Sequence, residues 1–376
     1  MTLCYYITGH GYGHAIRTAQ ILKALPPDVP LILRTVVPER LFREEAPGRD
    51  FSYRPAEFDC GCLQSDSVTV LPRATLDRYA EIAAANEARL PEEVAFLKRE
   101  GVRAVVTDIP AFPLRAAREA GLPGFAVANF TWHDIYQEYT ETPDDGALLA
   151  HMAEEYGAAT AAFLTPLSTP TVADPFPRVE RVPLVARRGR NIRAALDATL
   201  TIQAPPELGA GRAVRHLALL YLGVWGLDMD WAALAAAADW LFLTYDPPAL
   251  PVPNVVTLDR RRWPYADVSA SVDAVVSKPG YGTVTECIAN GVPLIYVPRP
   301  AFSEYDTLVA GMARWGGGVP IRDTDFRAGS WQDALDAALS AALRPDAYAT
   351  NGAEVIAARL RAMAEGEGRP GGSPLP

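Results

Sequence analysis

The strongest constraint on the fold of this chain is an alternation of short apolar runs with segments of helical period, and the alternation occurs twice. In the first half, strands are predicted at residues 3–8, 31–36, 104–107 and 124–128, and helices at 14–25, 73–99 and 113–120. In the second half, strands are predicted at residues 217–222, 241–244, 255–258, 274–276 and 294–297, and helices at 230–238 and 281–290. Such alternation is typical of parallel sheets with helices on both faces. The sequence therefore predicts an α/β protein.

The length of 376 residues is more than one ordinary core needs and suits two domains. Residues 1–183 are predicted to form the first domain and residues 184–348 the second. Residues 166–183 hold five prolines and little periodicity, and we interpret them as a linker at the end of the first domain. A last helix at 349–365 is predicted to cross back to the first domain, and the Gly- and Pro-rich residues 366–376 are predicted to be disordered.

The composition narrows the classes of partner. A net charge of -10 disfavours nucleic acids and anionic membranes, because their phosphates would be repelled. The basic residues 187–190 and 260–262 are interpreted as solvated loops. No apolar run reaches the length of about 18 residues that spans a bilayer, so no integral membrane segment is predicted. The four cysteines lack zinc-site spacing, and with no signal peptide we expect a cytoplasmic protein.

The first glycine-rich turn follows the first predicted strand and contains Gly9, His10, Gly11, Tyr12, Gly13 and His14. Its glycine spacing fits neither a dinucleotide fingerprint nor a P-loop. Glycines let the backbone approach a ligand closely, and the following helix directs its first amides at that ligand. Asp108 follows another predicted strand, where a carboxylate can fix the tautomer of an imidazole such as His14. The alternatives are a plain turn for the histidines and a helix cap for Asp108.

The second glycine-rich turn, residues 277–286, follows the predicted strand 274–276. A helix that begins there offers free amides to a pyrophosphate, with the hydroxyls of Ser277 and Thr283 nearby. The Glu286 carboxylate can accept hydrogen bonds from a ribose diol, or it can simply stabilise the helix N-terminus. Glu304 and Asp306 follow the strand 294–297, where they suit sugar hydroxyls or form a surface acidic loop.

At these residues the chain resembles the GT-B glycosyltransferase superfamily. Residues 277–306 resemble the nucleotide-sugar site of the cell-wall N-acetylglucosaminyltransferase family. Patterns spread over residues 2–345 are similar to the glycosyltransferase-like N-terminal region of plant L-arabinokinase; they lie at residues 9–17, 59–66, 107–108, 129–132 and 280–286. The resemblance implies a GT-B fold, in which two Rossmann-like parallel-sheet domains face a central cleft. The kinase half of L-arabinokinase has no counterpart here, so sugar-kinase activity is not implied.

The resemblance also implies roles for individual residues. His14 takes the position of the general base of an inverting, metal-independent, hexosyltransferase-like enzyme, and Asp108 that of the carboxylate that orients it. The donor, a UDP-sugar, is expected to contact Gly11, Gly13, Gly223, Ser277, Lys278, Gly280, Gly282, Thr283, Glu286, Glu304 and Asp306. The acceptor, a small molecule or glycan, is expected to contact His10, Asp59, Gln64, Asp66, Asn129, Trp132 and His133. No metal or other cofactor is expected.

Several alternatives stay open at this stage. A UDP-sugar epimerase or hydrolase can use the same fold, and so can a non-catalytic module that only binds nucleotide-sugars. The pair Glu304 and Asp306 departs from the usual Asp-Gln pair, which leaves the sugar open. Phe130, Trp132, Tyr136 and Tyr139 can form an acceptor pocket or core, and core is favoured. The acceptor and the oligomeric state, a homodimer included, are also open.

Overall fold

The computed structural model of the protein describes residues 2–65, 69–203, 215–221, 229–298 and 304–365. The predicted site residues Asp66 and Gly223, and the tail 366–376 predicted to be disordered, lie outside these ranges.

The described strands are short and largely buried, as expected for parallel sheets covered on both faces. They are β1 Thr2–Ile7, β2 Leu31–Arg34, β3 Ser52–Tyr53, β4 Val102–Asp108, β5 Gly124–Ala128, β6 Ala161–Leu164, β7 Val179–Arg181, β8 His216–Tyr221, β9 Trp240–Thr244, β10 Val255–Thr257, β11 Ala274–Ser277, β12 Leu294–Tyr296 and β13 Gly318–Pro320.

Helices connect most of these strands. They are α1 Gly13–Ala24, α2 Glu39–Glu45, α3 Pro72–Arg99, α4 Phe112–Glu119, α5 Trp132–Gln137, α6 Pro143–Tyr156, α7 Arg193–Gln203, α8 Tyr265–Ser269, α9 Tyr281–Asn290, α10 Tyr305–Trp315, α11 Asp323–Arg327, α12 Gln332–Leu339 and α13 Gly352–Glu365. Helix α9 ends at Gly291, whose φ of 68° is left-handed and suits glycine. Of the helices in the described ranges, none combines the length and the apolarity that crossing a membrane requires.

The described residues divide into two compact units. The first comprises residues 2–65, 70–186 and 349–365, and the second consists mainly of the described residues from 187 to 348. The first unit contains a parallel sheet in the order β3-β2-β1-β4-β5-β6-β7. The second contains a parallel sheet in the order β10-β9-β8-β11-β12-β13. The predicted α/β class with two parallel sheets is confirmed.

Helix α13 belongs to the first unit, although it follows the whole second unit in sequence. Its side chains Ile356 and Leu360 are almost completely buried in the core beneath β1, β2 and β4. The chain therefore returns to the first unit at its last described helix. The limits of the units fall after residue 186 and before residue 349, beside the predicted domain limits of 183 and 349.

Two sequence interpretations of local structure are wrong. The Pro-rich residues 166–183 are not a simple linker, because β7 lies within them and pairs with β6 as the edge strand of the first sheet. An edge position tolerates the flanking prolines, since one side of the strand needs no partner. Residues 230–238, predicted as a helix, form only a short 3₁₀ turn at Ala232–Ala236.

Candidate active site

The first site lies where the strand order of the first sheet reverses. Chain connections from β1 and β4 leave toward opposite edges of the sheet, which opens a crevice at their carboxyl ends. Ile7 ends β1 and pairs with Asp108, which ends β4. Helix α1 begins six residues after β1 and carries His14 in its first turn. The topology thus brings His14 and Asp108 to one edge of the sheet.

His14 and Asp108 are in direct contact. The Nδ1 atom of His14 lies 2.9 Å from Oδ1 of Asp108. The His14 side chain keeps 11% of its surface exposed, whereas the Asp108 side chain keeps 1%. The ring of Phe130 packs edge-on against the imidazole. The carboxylate therefore fixes the orientation of an imidazole that retains a path to solvent.

Arg17, one helical turn after His14, holds the other side of the Asp108 carboxylate. Its Nε donates to Oδ2 at 3.0 Å and its Nη2 to Oδ1 at 2.5 Å. Burial alone would raise the pKa of Asp108, but the Arg17 guanidinium and the His14 hydrogen bond outweigh it and lower that pKa to about 2. Burial and the nearby Arg17 charge lower the pKa of His14, against the opposing effect of Asp108. The sequence prediction missed Arg17, although its i+3 spacing from His14 places both on one helix face.

A second buried carboxylate, Asp59, lies close to the same strand ends. Its Oδ1 accepts from the Thr8 hydroxyl at 2.9 Å and its Oδ2 from Trp132 Nε1 at 2.6 Å. Burial raises the pKa of Asp59 to about 6, because these two neutral donors only partly offset the loss of water. Asp59 thus stands in a different charge environment from Asp108.

His10 contacts Trp132, the residue that also donates to Asp59. Its Nδ1 accepts the backbone N–H of Cys62 at 3.3 Å, and the ring packs edge-on against Trp132. A side chain at Gly61 would place its Cβ 2.3 Å from that Nδ1 atom, so only glycine fits there. Because Nδ1 accepts, a neutral His10 carries its proton on Nε2 and acts as a donor to any ligand.

The glycine turn itself is open. Gly11 has a left-handed φ of 71°, and it is exposed together with Gly13. The first turn of α1 contains no acidic residue, and no side chain of the described residues caps it. The first backbone amides of α1 are therefore available to donate hydrogen bonds to a ligand.

The other residues predicted to bind the acceptor have different surroundings. Asn129 is buried, and its Oδ1 accepts from Arg17. Trp132 is also buried, and it stacks on Tyr136, which in turn stacks on Tyr139. These aromatic rings are core, as favoured from the sequence.

His133 and Gln64 lie at the margins of this group. His133 is partly exposed on α5 and contacts Gln137. Gln64 forms an antiparallel bridge with Val70, and the structure pairs it with none of the residues above.

The second site lies at the equivalent reversal in the second sheet, between β8 and β11. Ser277 ends β11, and its hydroxyl donates to the Tyr221 carbonyl at 2.6 Å, which ties the two strand ends together. Helix α9 begins after Gly280, and a Cβ atom added to Gly280 would meet no other atom within 4 Å. The first turn of α9 has no acidic residue and no side-chain cap among the described residues. Lys278, Gly282 and Thr283 around this helix start are half-buried.

Glu286 lies in the second turn of α9 and forms a two-pronged ion pair with Arg187. Nε of Arg187 donates to Oε1 at 3.0 Å and Nη2 to Oε2 at 3.1 Å, and both side chains are buried. The charge of Glu286 is thus balanced by a guanidinium, and the residue lies beyond the first turn of α9.

The interpretation of residues 187–190 as a solvated loop is also wrong in part. Arg187 is buried, and Gly189 packs so closely that a Cβ there would lie 1.8 Å from the Ala266 carbonyl oxygen. Arg188 is exposed as predicted. Nothing in the local pattern distinguished Arg187 from its neighbours, because its partner Glu286 lies 99 residues away.

A cluster of aromatic rings and one arginine borders the same strand ends. Arg260 lies over the ring of Tyr245 at 4.5 Å and over that of Tyr221 at 5.4 Å, and Tyr221 packs edge-on against Tyr265. Cation–π contacts of this kind offer a flat, positively charged surface. Residues 260–262 are exposed, as expected for a solvated loop, but the aromatic cluster around Arg260 was not predicted from the sequence.

Glu304 and Asp306 stand at the start of α10. Glu304 is the buried residue before the helix, and Asp306 is exposed in its first turn. Across the described residues, no three His, Cys, Asp or Glu side chains are grouped so that they could hold a metal ion.

Comparisons with known proteins agree with this architecture. Residues 263–360 match the glycosyltransferase family 28 C-terminal domain. L-arabinokinase of Arabidopsis thaliana is 31% identical over 382 residues, which covers 97% of this chain and 35% of that protein. The chain thus spans about a third of the length of that relative. The UDP-N-acetylglucosamine--N-acetylmuramyl-(pentapeptide) pyrophosphoryl-undecaprenol N-acetylglucosamine transferase of Clavibacter michiganensis subsp. michiganensis is 43% identical over 58 residues, 15% of this chain and 16% of that protein.

Solved structures share the whole fold. UGT2 of Phytolacca americana, complexed with UDP-2fluoro-glucose and pterostilbene, has a TM-score of 0.60 at 16% identity and covers 97% of this chain and 94% of its own. The calicheamicin glycosyltransferase CalG4 has a TM-score of 0.59 at 17% identity and covers 97% of both chains. Together with the two parallel-sheet units, these matches show that the chain has the fold of GT-B glycosyltransferases.

Proposed function

We propose that the protein is an inverting glycosyltransferase that transfers a sugar from a UDP-sugar to a small-molecule or glycan acceptor, with His14 as the general base. The observation that carries the proposal is the contact of 2.9 Å between His14 Nδ1 and Asp108 at the strand reversal of the first sheet. An imidazole held by a carboxylate through one nitrogen can accept a proton at the other. Burial lowers the pKa of His14 and so favours the neutral form that a base requires.

The second unit would hold the nucleotide part of the donor. The uncapped start of α9 offers amides to the diphosphate, and these fixed dipoles would stabilise the charge of the departing UDP. Glu286, oriented by Arg187, would accept hydrogen bonds from the ribose hydroxyls. The UDP-sugar is proposed because the relatives named above include a protein bound to UDP-2fluoro-glucose and a UDP-N-acetylglucosamine transferase.

The acceptor would be deprotonated by His14 as its oxygen attacks the anomeric carbon. The proton moves to Nε2 of His14, the bond from the anomeric carbon to the diphosphate oxygen breaks, and UDP leaves from the opposite face. The configuration at the anomeric carbon is therefore inverted. His10, a donor through Nε2, would contribute a hydrogen bond to the acceptor. Fixed amides meet the charge of the leaving group in this scheme, so no step in it requires a metal ion.

The test compares His14→Ala with His151→Ala, a partly exposed histidine on α6 of the same unit. UDP release is measured with a panel of UDP-sugars and of sugar and phenol acceptors, and UDP affinity is measured by calorimetry. We expect His14→Ala to lose about 10²–10⁴ of the transfer rate while its UDP affinity stays within about twofold. His151→Ala should behave as the wild type.

Each other outcome would contradict a different part of the proposal. Transfer by His14→Ala at the wild-type rate would show that the base is assigned incorrectly. UDP release or a new sugar isomer without any acceptor would indicate a hydrolase or epimerase. UDP-sugar binding without turnover in any combination would indicate a non-catalytic binding module. Proton NMR of the product tests inversion, and assay in EDTA tests metal independence.

A further inference from the structure

Arg17 contacts both members of the candidate catalytic pair, His14 and Asp108. It is 4% exposed, and its three nitrogens engage both oxygens of Asp108 and, at 2.6 Å, Oδ1 of Asn129. The hydroxyl of Thr18 also donates to Asp108 Oδ2, at 3.0 Å. Asp108 therefore accepts hydrogen bonds from a guanidinium and a hydroxyl in addition to its contact with His14.

The proton on His14 is constrained by two neighbours with opposite requirements. Nδ1 of His14 lies 2.9 Å from a carboxylate oxygen of Asp108, which can only accept, and 3.1 Å from Nη2 of Arg17, which can only donate. Nη2 already has a closer acceptor in Asp108 at 2.5 Å. An unprotonated Nδ1 would face the carboxylate lone pairs at hydrogen-bond distance. The lower-energy arrangement has the proton on Nδ1, donated to Asp108.

We propose that Arg17 is a positioning residue that keeps His14 neutral and in the Nδ1-protonated tautomer, with the Nε2 lone pair free for the acceptor proton. The inference rests on the proposed function in one respect, namely that His14 is the base. Arg17 orients Asp108 through the fork and neutralises its charge. Asp108 can then orient the imidazole without stabilising a permanent imidazolium.

The charged groups around His14 agree with this role. Arg17 acts from α1 and Asp108 from the end of β4. Asp59, after β3, interacts electrostatically with Asp108 and does not shift the pKa of the imidazole. Phe130, the remaining contact, is neutral. Burial is the largest cause of the lowered pKa of His14, and Arg17 lowers it further while Asp108 opposes both. Without Arg17, the full charge of Asp108 would act on the imidazole.

The test measures the protonation state of His14 directly by NMR. The protein has five histidines, so ¹⁵N-labelled histidine gives few signals, and His14→Asn assigns the one of interest. In the wild type we expect the Nδ1-protonated tautomer and a pKa below 6.5. In Arg17→Gln we expect that pKa to rise, because a positive charge beside the imidazole is removed. Arg17→Lys keeps the charge and should restore most of the low value.

Arg49→Gln is the matched control. Arg49 is equally buried in the same unit, but it donates to the carbonyls of Pro26 and Val29 and not to the dyad. Its loss should reduce stability without changing the pKa of His14. Where a UDP-sugar is turned over, the acid limb of the pH profile should also move to higher pH in Arg17→Gln and stay in place in Arg49→Gln.

Two results would overturn the role of Arg17. One is an NMR spectrum of the wild type that shows His14 protonated on Nε2, and this measurement needs no variant. The other is a folded Arg17→Gln protein whose His14 titrates as in the wild type. If no protein turns over any UDP-sugar while the NMR results follow expectation, the proposed function fails and the role of Arg17 stands.

Discussion

Replacing Asp59 by Asn should stabilise the protein relative to the wild type at alkaline pH, and this gain in the free energy of unfolding should shrink as the pH falls. Asp59 is 5% exposed, and its pKa is raised from 3.8 to about 6. At 1.36 kcal/mol per pH unit, keeping this carboxylate ionised in the folded protein costs about 3 kcal/mol. Because the folded pKa is raised, the stabilising effect is complete below pH 3.8 and is lost as the pH rises through about 6.

The Asn variant cannot ionise, so it does not lose this stability. Its Oδ1 can accept from Trp132 Nε1 and its amide can donate to the Thr8 hydroxyl, which preserves both contacts in altered polarity. Losing one charge-assisted hydrogen bond costs about 1–2 kcal/mol. At pH 8 we therefore expect Asp59→Asn to be about 1–2 kcal/mol more stable than the wild type.

The measurement is urea unfolding of both proteins at pH 4.5, 6 and 8, with hydrogen exchange of β1 and β4 peptides to assign the transition to the first unit. The free-energy difference between variant and wild type should grow by about 2 kcal/mol from pH 4.5 to pH 8. Asp174→Asn, an exposed change in the same unit, should show no such trend. Parallel pH dependences for Asp59→Asn and the wild type, within about 0.5 kcal/mol, would refute the reasoning.

Three other substitutions test the contacts of the two strand-end sites. Asp108→Asn leaves a buried guanidinium without its anion, and the cost should be about 3 kcal/mol at pH 7, by urea unfolding. The stability that the lowered pKa of Asp108 provides is complete above pH 3.8 and is lost as the pH falls through about 2, so the cost should be smaller at pH 3. Gly189→Ala places a methyl group 1.8 Å from the Ala266 carbonyl oxygen and should lower the melting temperature by several degrees, whereas Gly146→Ala, in open space, should not. Glu286→Gln should weaken UDP binding about tenfold by calorimetry but leave 2′,3′-dideoxy-UDP binding unchanged, and equal losses for both would contradict a ribose contact.

The strand–helix alternation predicted most of the fold, because a buried parallel strand is a short apolar run that can be recognised from the local sequence alone. Helix α9 was predicted with the limits the structure has, since Gly280 and Gly291 mark both ends. The edge strand β7 was missed because its residues are half-buried or exposed, and prolines surround it. Its pairing with β6 depends on the sheet that is already formed, which no local pattern encodes.

The candidate site was only partly visible in the sequence, for a related reason. His14 and Asp108 could be paired in advance, because each follows a predicted strand and parallel strand ends meet at one edge. Arg187 could not be assigned to Glu286, because the pair depends on how residues 187–190 pack against α8 and α9. Among similar basic residues, a buried arginine is distinguished only by its tertiary partner.

Asp108 and Asp59, two described carboxylates at the strand ends, show how neighbouring groups set the pKa of a carboxylate and hence its charge. Asp108 has a guanidinium at hydrogen-bond distance, so it stays ionised with a pKa of about 2 and can orient an imidazole at any physiological pH. Asp59 has only the Thr8 hydroxyl and the Trp132 indole as donors, so burial prevails and its pKa rises to about 6. The charge state of Asp59 should therefore change near pH 6. Any acid limb of a transfer profile must be assigned with Asp59→Asn beside Arg17→Gln, since only the latter should move the His14 titration.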